Sequence, residues 1–120
     1  MNTTFIEYPK CTTCKKAKNW LAGQGVEFAD RHIAEAPPTA DELRSWSQAS
    51  GLPLRKFFNT CGVKYRELNL SARLKEMSEE EQLALLATDG MLVKRPILVT
   101  PEGRVIPGFK AETWAEALGK

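Results

Sequence analysis

Two cysteines separated by two threonines, Cys11-Thr12-Thr13-Cys14, are the residues of this chain best suited to chemistry. A thiolate attacks disulfides and other electrophiles; a neutral thiol does not. At the start of a helix the second sulfur returns to the same side one turn on, where it can displace whatever the first has captured. The helix start also matters electrically, because its unpaired amides and dipole favour an anion at Cys11. Lys10, Lys15, Lys16 and Lys18 crowd the pair and add positive potential in the same direction, although a basic helix is more often a solvated face. Two bland roles compete. A C-x-x-C pair can be half of a zinc site, but only Cys61 and His32 remain, and His32 has no partner at ligand spacing, so no metal is expected. Both cysteines can also be inert core filler. A strand before the pair and a helix after it favour redox chemistry over either.

The elements that must position the pair can be read from the pattern. Thr3 to Tyr8 is short and β-prone and stops at Pro9, which predicts a strand. From Thr12 to about Ala22, Cys14, Ala17, Trp20 and Leu21 share one helical face, and Gly23 and Gly25 supply the stop. Val26 to Ile33 reads as a second strand, which makes a βαβ unit with parallel strands. After Pro37-Pro38, Thr39 and Glu42 have capping-box spacing ahead of Leu43, Trp46 and Ala49. Leu54 to Phe58 predicts a helical turn or two, and Tyr65 to Leu74 a helix with Leu68 and Leu74 inward. Ser78 and Glu81 repeat the capping box before Leu83, Leu86 and Ala87, and Asp89-Gly90 ends that helix. Ile97-Leu98-Val99, the turn Thr100-Pro101-Glu102-Gly103 and Arg104-Val105-Ile106 form a hairpin, and Ala111 to Leu118 a closing helix. The order β-α-β, helices, β-β-α is the thioredoxin-like α/β arrangement. A single domain spanning 1–120 is expected, with a helical insertion at about 39–92 between the second and third strands.

Composition sets the bounds. At 120 residues, 42% apolar and 27% charged, the chain is an ordinary globular size and make-up. A net charge of +2 gives no field suited to nucleic acid or an acidic membrane, so neither is expected as a direct partner. The first residues lack the basic, apolar and small-residue segments of a signal peptide, and no apolar run approaches the ~20 residues of a bilayer span. A cytoplasmic location follows as the expectation. Three cysteines, an odd number, do not make a secreted disulfide framework.

Tyr8-Pro9-Lys10-Cys11-Thr12-Thr13-Cys14-Lys15-Lys16-Ala17, Lys94-Arg95-Pro96-Ile97 and Pro107-Gly108-Phe109-Lys110 together resemble the arsenate reductase-like family of thioredoxin-fold proteins. That family includes glutaredoxin-coupled arsenate reductases, the Spx regulators and the YffB-type branch. The similarity runs from about Thr4 to Trp114. It implies that Cys11 is the nucleophile; the resolving role of Cys14 comes from the spacing of the pair, since arsenate reductases of this class typically lack a cysteine at that position. It implies that Arg95 binds an anion such as a glutathione carboxylate, a task suited to a planar guanidinium, and that Pro96 is the cis proline facing the active cysteine. Lys10 is a further candidate for substrate binding. Cys61 is either a spare core thiol or an alternative resolving partner. The departures bear on the substrate. Two more arginines are expected near an arsenate site, and this chain has Asn59 and Pro107-Gly108 there. Each lost charge-assisted fork is worth about 1.5–3 kcal/mol.

The expected activity is therefore that of a thiol–disulfide oxidoreductase acting on a small thiol or protein disulfide. It would hold no bound cofactor and would draw electrons from glutathione or a dithiol protein such as glutaredoxin or thioredoxin. The alternative is an Spx-like redox sensor that binds RNA polymerase. Arsenate reduction ranks third.

Overall fold

In chain order the elements are β1 (Thr3–Glu7), α1 (Thr12–Gly23), β2 (Phe28–His32), α2 (Ala40–Ser50), α3 (Val63–Glu67), α4 (Leu70–Arg73), α5 (Glu79–Thr88), β3 (Ile97–Val99), β4 (Val105–Pro107) and α6 (Ala111–Leu118). Short 3₁₀ turns occupy Leu54–Phe57, Leu74–Glu76 and Gly90–Leu92. The computed structural model describes residues 3–60 and 62–120. The chain divides into two compact units, one made of the residues up to His32 with Arg95–Lys120, the other of Ile33–Lys94. Among the described residues, no helix is long and apolar enough to cross a membrane.

The first unit is built on a four-stranded sheet of order β2-β1-β3-β4. A helical crossover separates β1 from β2, and these two strands run parallel, as the βαβ reading requires. β3 returns antiparallel to β1 with Ile6 opposite Ile97, and β4 pairs antiparallel with β3 through the tight turn closed by Gly103 N–H to Thr100 O at 2.9 Å. α1 and α6 cover one face. Ala17 and Leu21 of α1 and Trp114 of α6 pack with Phe5 and Leu98, all of them fully buried. Trp114 meets Phe5 edge-on at 6.1 Å and donates its indole N–H to Gly108 O at 3.0 Å, so the largest core side chain leaves no polar group unpaired. This is the thioredoxin-like arrangement expected from the order of elements.

One charged group lies inside this packing. Glu7 is only 2% exposed, and it shares Lys18 with Asp30: the lysine Nζ is 2.8 Å from Asp30 and 3.4 Å from Glu7. Asp30 is the closer partner and its pKa is held low, chiefly by its hydrogen bonds to Glu7 and Lys18, which outweigh its own burial. Burial, with Asp30 beside it, pushes the Glu7 carboxyl up to about 7. Two carboxylates with one ammonium settle into one anion and one acid that donates to it.

In the second unit both capping boxes form as read, Thr39 with Glu42 and Ser78 with Glu81, at 3.0–3.1 Å. The continuous helix expected over Tyr65 to Leu74 does not form. α3 stops at Glu67, and Asn69 takes a left-handed φ of 53° before α4 begins. Asparagine tolerates that conformation better than most residues, so the break costs little. It turns Leu70 into the core and leaves Leu68 and Leu74 half-buried. Gly90 is fixed by space: a Cβ there would lie 1.9 Å from the backbone oxygen of Ile33.

Two stability outcomes follow. Gly90→Ala pushes backbone against backbone and is expected to cost about 1–3 kcal/mol or more, read as a lower urea midpoint. Glu7 has a higher pKa in the folded chain than its ordinary 4.5, so its contribution is complete below that value and is lost as pH rises through about 7. Glu7→Gln is expected to flatten the fall in stability across this window and to gain about 1–3 kcal/mol at about pH 8, measured by denaturation at a series of pH values.

Candidate functional site

β1 ends at Glu7, and two residues of turn carry the chain to Cys11, whose N–H donates to Tyr8 O at 2.9 Å. Cys11 is the N-cap of α1: its backbone is extended (φ −81°, ψ 123°), and its carbonyl accepts from Lys15 N–H at 3.0 Å. The position normally taken by a serine or aspartate oxygen is occupied by sulfur. Cys11 Sγ accepts from Cys14 N–H at 3.4 Å. Cys14, one turn on, faces inward with Ala17 and Leu21 and is fully buried, whereas Cys11 is partly exposed.

These environments separate the two thiols. Burial alone raises the pKa of Cys11. It is outweighed by the Cys14 backbone N–H and thiol, the Arg95 guanidinium and the Thr13 N–H, and the net value lies below that of an ordinary thiol. Burial pushes the Cys14 thiol up to about 12, with the Cys11 thiolate adding to the rise and a backbone bond from Tyr8 and the Arg95 charge working against it. One sulfur is reachable and more readily ionised than an ordinary thiol; the other holds its proton.

Arg95 is brought here by the sheet. Its guanidinium lies over the Tyr8 ring at 5.1 Å from the centroid, and its charge favours the thiolate at both cysteines. The Arg95–Pro96 peptide is cis, and buried Pro96 accepts at its carbonyl from Gly108 N–H at 2.7 Å. Gly108 itself has φ of 83°, so the Pro107-Gly108 pair, where a second arginine is expected, is a proline followed by a left-handed glycine. Asn59, at the other expected arginine, spends its N–H on Leu92 O at 2.7 Å within the second unit.

The lysines need correcting. Lys18 was expected to add to the potential at the thiols, but its ammonium is held by Asp30 and Glu7. The strongest charge acting on Cys11 is Arg95. Lys10, Lys15 and Lys16 are exposed. Cys61, the alternative resolving thiol, lies outside the described residues. Among the described residues, no group of three or more histidine, cysteine or acidic side chains is placed to hold a metal. Sequence reading missed Tyr8 as the partner of Arg95 and Glu7 as a buried acid. Strand register carries the signal for the first. Glu7, a charged residue set on the same strand face as Phe5, carries it for the second.

The split between the thiols is open to measurement. Iodoacetamide labelling followed by peptide mass analysis over a range of pH is expected to modify Cys11 with a midpoint below that of free cysteine, leaving Cys14 unlabelled until strongly alkaline pH. Equal labelling of the two would contradict the geometry.

The chain is similar to known proteins in sequence and in fold. The chain is 56% identical over 116 residues to the uncharacterized protein YusI of Bacillus subtilis, covering 97% of this chain and 98% of that one. It is 36% identical over 103 residues to the regulatory protein MgsR of the same species, covering 86% and 80%. Among solved structures, an ArsC family related protein of Bacteroides fragilis matches with a TM-score of 0.93 at 54% identity over 97% of each chain. The ArsC family model matches residues 6–117. With almost the whole length matched, the chain belongs to the ArsC family.

Proposed function

We propose that this chain is a thiol–disulfide oxidoreductase in which Cys11 attacks and Cys14 resolves. The observation that supports it is the opposite displacement of the two thiols, down at the partly exposed helix cap and up in the buried turn below. The Cys11 thiolate attacks one sulfur of a substrate disulfide, forming a mixed disulfide and expelling the other sulfur as a thiolate. Cys11 then carries no charge, so its share of the rise in the Cys14 pKa is removed, while burial still opposes ionisation and the attraction of Arg95 stays. Cys14 gives its proton to the thiolate already expelled, attacks Cys11 Sγ and expels the second substrate sulfur as a thiolate. Two electrons have passed from the pair to the substrate, leaving a Cys11–Cys14 disulfide. Two glutathione molecules, or one dithiol protein such as glutaredoxin or thioredoxin, return them and leave oxidised as a disulfide. Arg95 positions an anionic group of the substrate, such as a glutathione carboxylate, with Pro96 shaping the groove beside it and Lys10 at its exposed rim. Arsenate is a poor candidate substrate, because Pro107-Gly108 and Asn59 stand where two of its arginines are expected.

A regulatory reading has its own support in the 36% identity to MgsR. The same cysteine pair would then open and close as a switch on a contact with RNA polymerase.

One experiment addresses both. Incubated with glutathione disulfide, Cys14→Ser is expected to accumulate a glutathione adduct on Cys11, detected by intact and peptide mass. Cys11→Ser is expected to lose disulfide-reducing activity by about a thousandfold or more. Full activity in Cys11→Ser would exclude the mechanism. Rapid closure of the Cys11–Cys14 disulfide without turnover would favour the switch.

A further inference from the structure

The register of the sheet places an aromatic face under the arginine of the site. β1 and β3 pair antiparallel with Thr4 opposite Val99, Phe5 opposite Leu98 and Ile6 opposite Ile97. Continued by two residues, that register sets Tyr8 opposite Arg95, and the guanidinium carbon does lie 5.1 Å from the Tyr8 ring centroid. The Tyr8 ring is half-buried and is itself met edge-on by His32 of β2 at 5.7 Å, so it is a braced surface. The Tyr8 carbonyl also accepts the Cys11 N–H. One residue thus touches the attacking cysteine through its backbone and the cation through its side chain. Long arginine side chains carry several rotatable bonds, and a cation placed over a ring face loses part of that freedom before any substrate arrives.

We propose that Tyr8 is a positioning residue, whose ring holds the Arg95 guanidinium within electrostatic reach of the Cys11 sulfur and of the anionic group that the substrate brings. The contribution comes from the ring face, and the phenol hydroxyl is dispensable. The Tyr8 side chain acts through Arg95, apart from the bonds its backbone makes to the two cysteines. The proposal rests on Cys11 being the attacking sulfur.

The test is the pH dependence of Cys11 labelling by iodoacetamide in the full reduced chain, resolved by peptide mass so that the other cysteines do not interfere. Tyr8→Phe is expected to keep the wild-type midpoint. Tyr8→Leu keeps apolar bulk without a π face and is expected to raise the midpoint by about half a pH unit, roughly a threefold loss of thiolate at lower pH. Tyr8→Met replaces it if the leucine variant does not fold. In an Arg95→Gln background the same change is expected to add nothing, because the group it positions is gone. An unmoved midpoint in Tyr8→Leu, or an equal shift with Arg95 already removed, would overturn the proposal. This readout needs no turnover. An empty adduct trap in Cys14→Ser would sink the oxidoreductase reading while leaving the titration of Tyr8 variants to be judged alone.

Discussion

The hydrogen bond from Cys14 N–H to Cys11 Sγ is the contact on which the site depends. A helix needs an acceptor at its first turn, and a neutral hydroxyl or a fixed carboxylate usually serves. Here the acceptor is a group that can exist with or without charge and can form a covalent bond. The cap and the proposed nucleophile are one atom, so the electrostatics that begin α1 also bear on the reactivity of that sulfur. The coupling runs both ways. A sulfur bonded to Cys11 would remove the chance of charge at the positive end of α1, and that end would favour its release as a thiolate from Cys11.

The charge that matters at this cap comes from across the sheet, while the nearer charges on α1 are spent elsewhere. Lys18 is bound between Asp30 and Glu7, and the basic look of the helix overstates what the sulfur feels. Arg95 is far away in sequence but adjacent through the β1–β3 pairing. A guanidinium is always protonated, so the field it supplies does not vary over the pH range in which the thiols titrate.

Features written in local spacing were legible in the sequence. The capping boxes at Thr39 and Ser78 need only a side chain and its partner three residues on, and α6 falls on Ala111–Leu118 as its apolar spacing indicates. The C-x-x-C pair was legible for the same reason, together with its place between strand and helix. What escaped depends on a single backbone choice or on a neighbour from elsewhere. Asn69 breaks the helix read across Tyr65–Leu74 by one left-handed residue that apolar periodicity does not record. Glu7 is buried because α1 and β2 bring Lys18 and Asp30 to it, and Gly90 is fixed by the backbone of Ile33. The pairing of Tyr8 with Arg95 required the strand register, which neither segment states alone.

The outer strands of the sheet differ from its centre in a way that bears on how the molecule meets others. β2 presents Asp30, Arg31 and His32 in succession, and β4 is three residues long and ends in Pro107, which has no N–H to offer. Charge on one margin and brevity with proline on the other are the usual guards against unwanted strand addition. Encounters with other chains are thereby kept from lengthening the sheet at either margin.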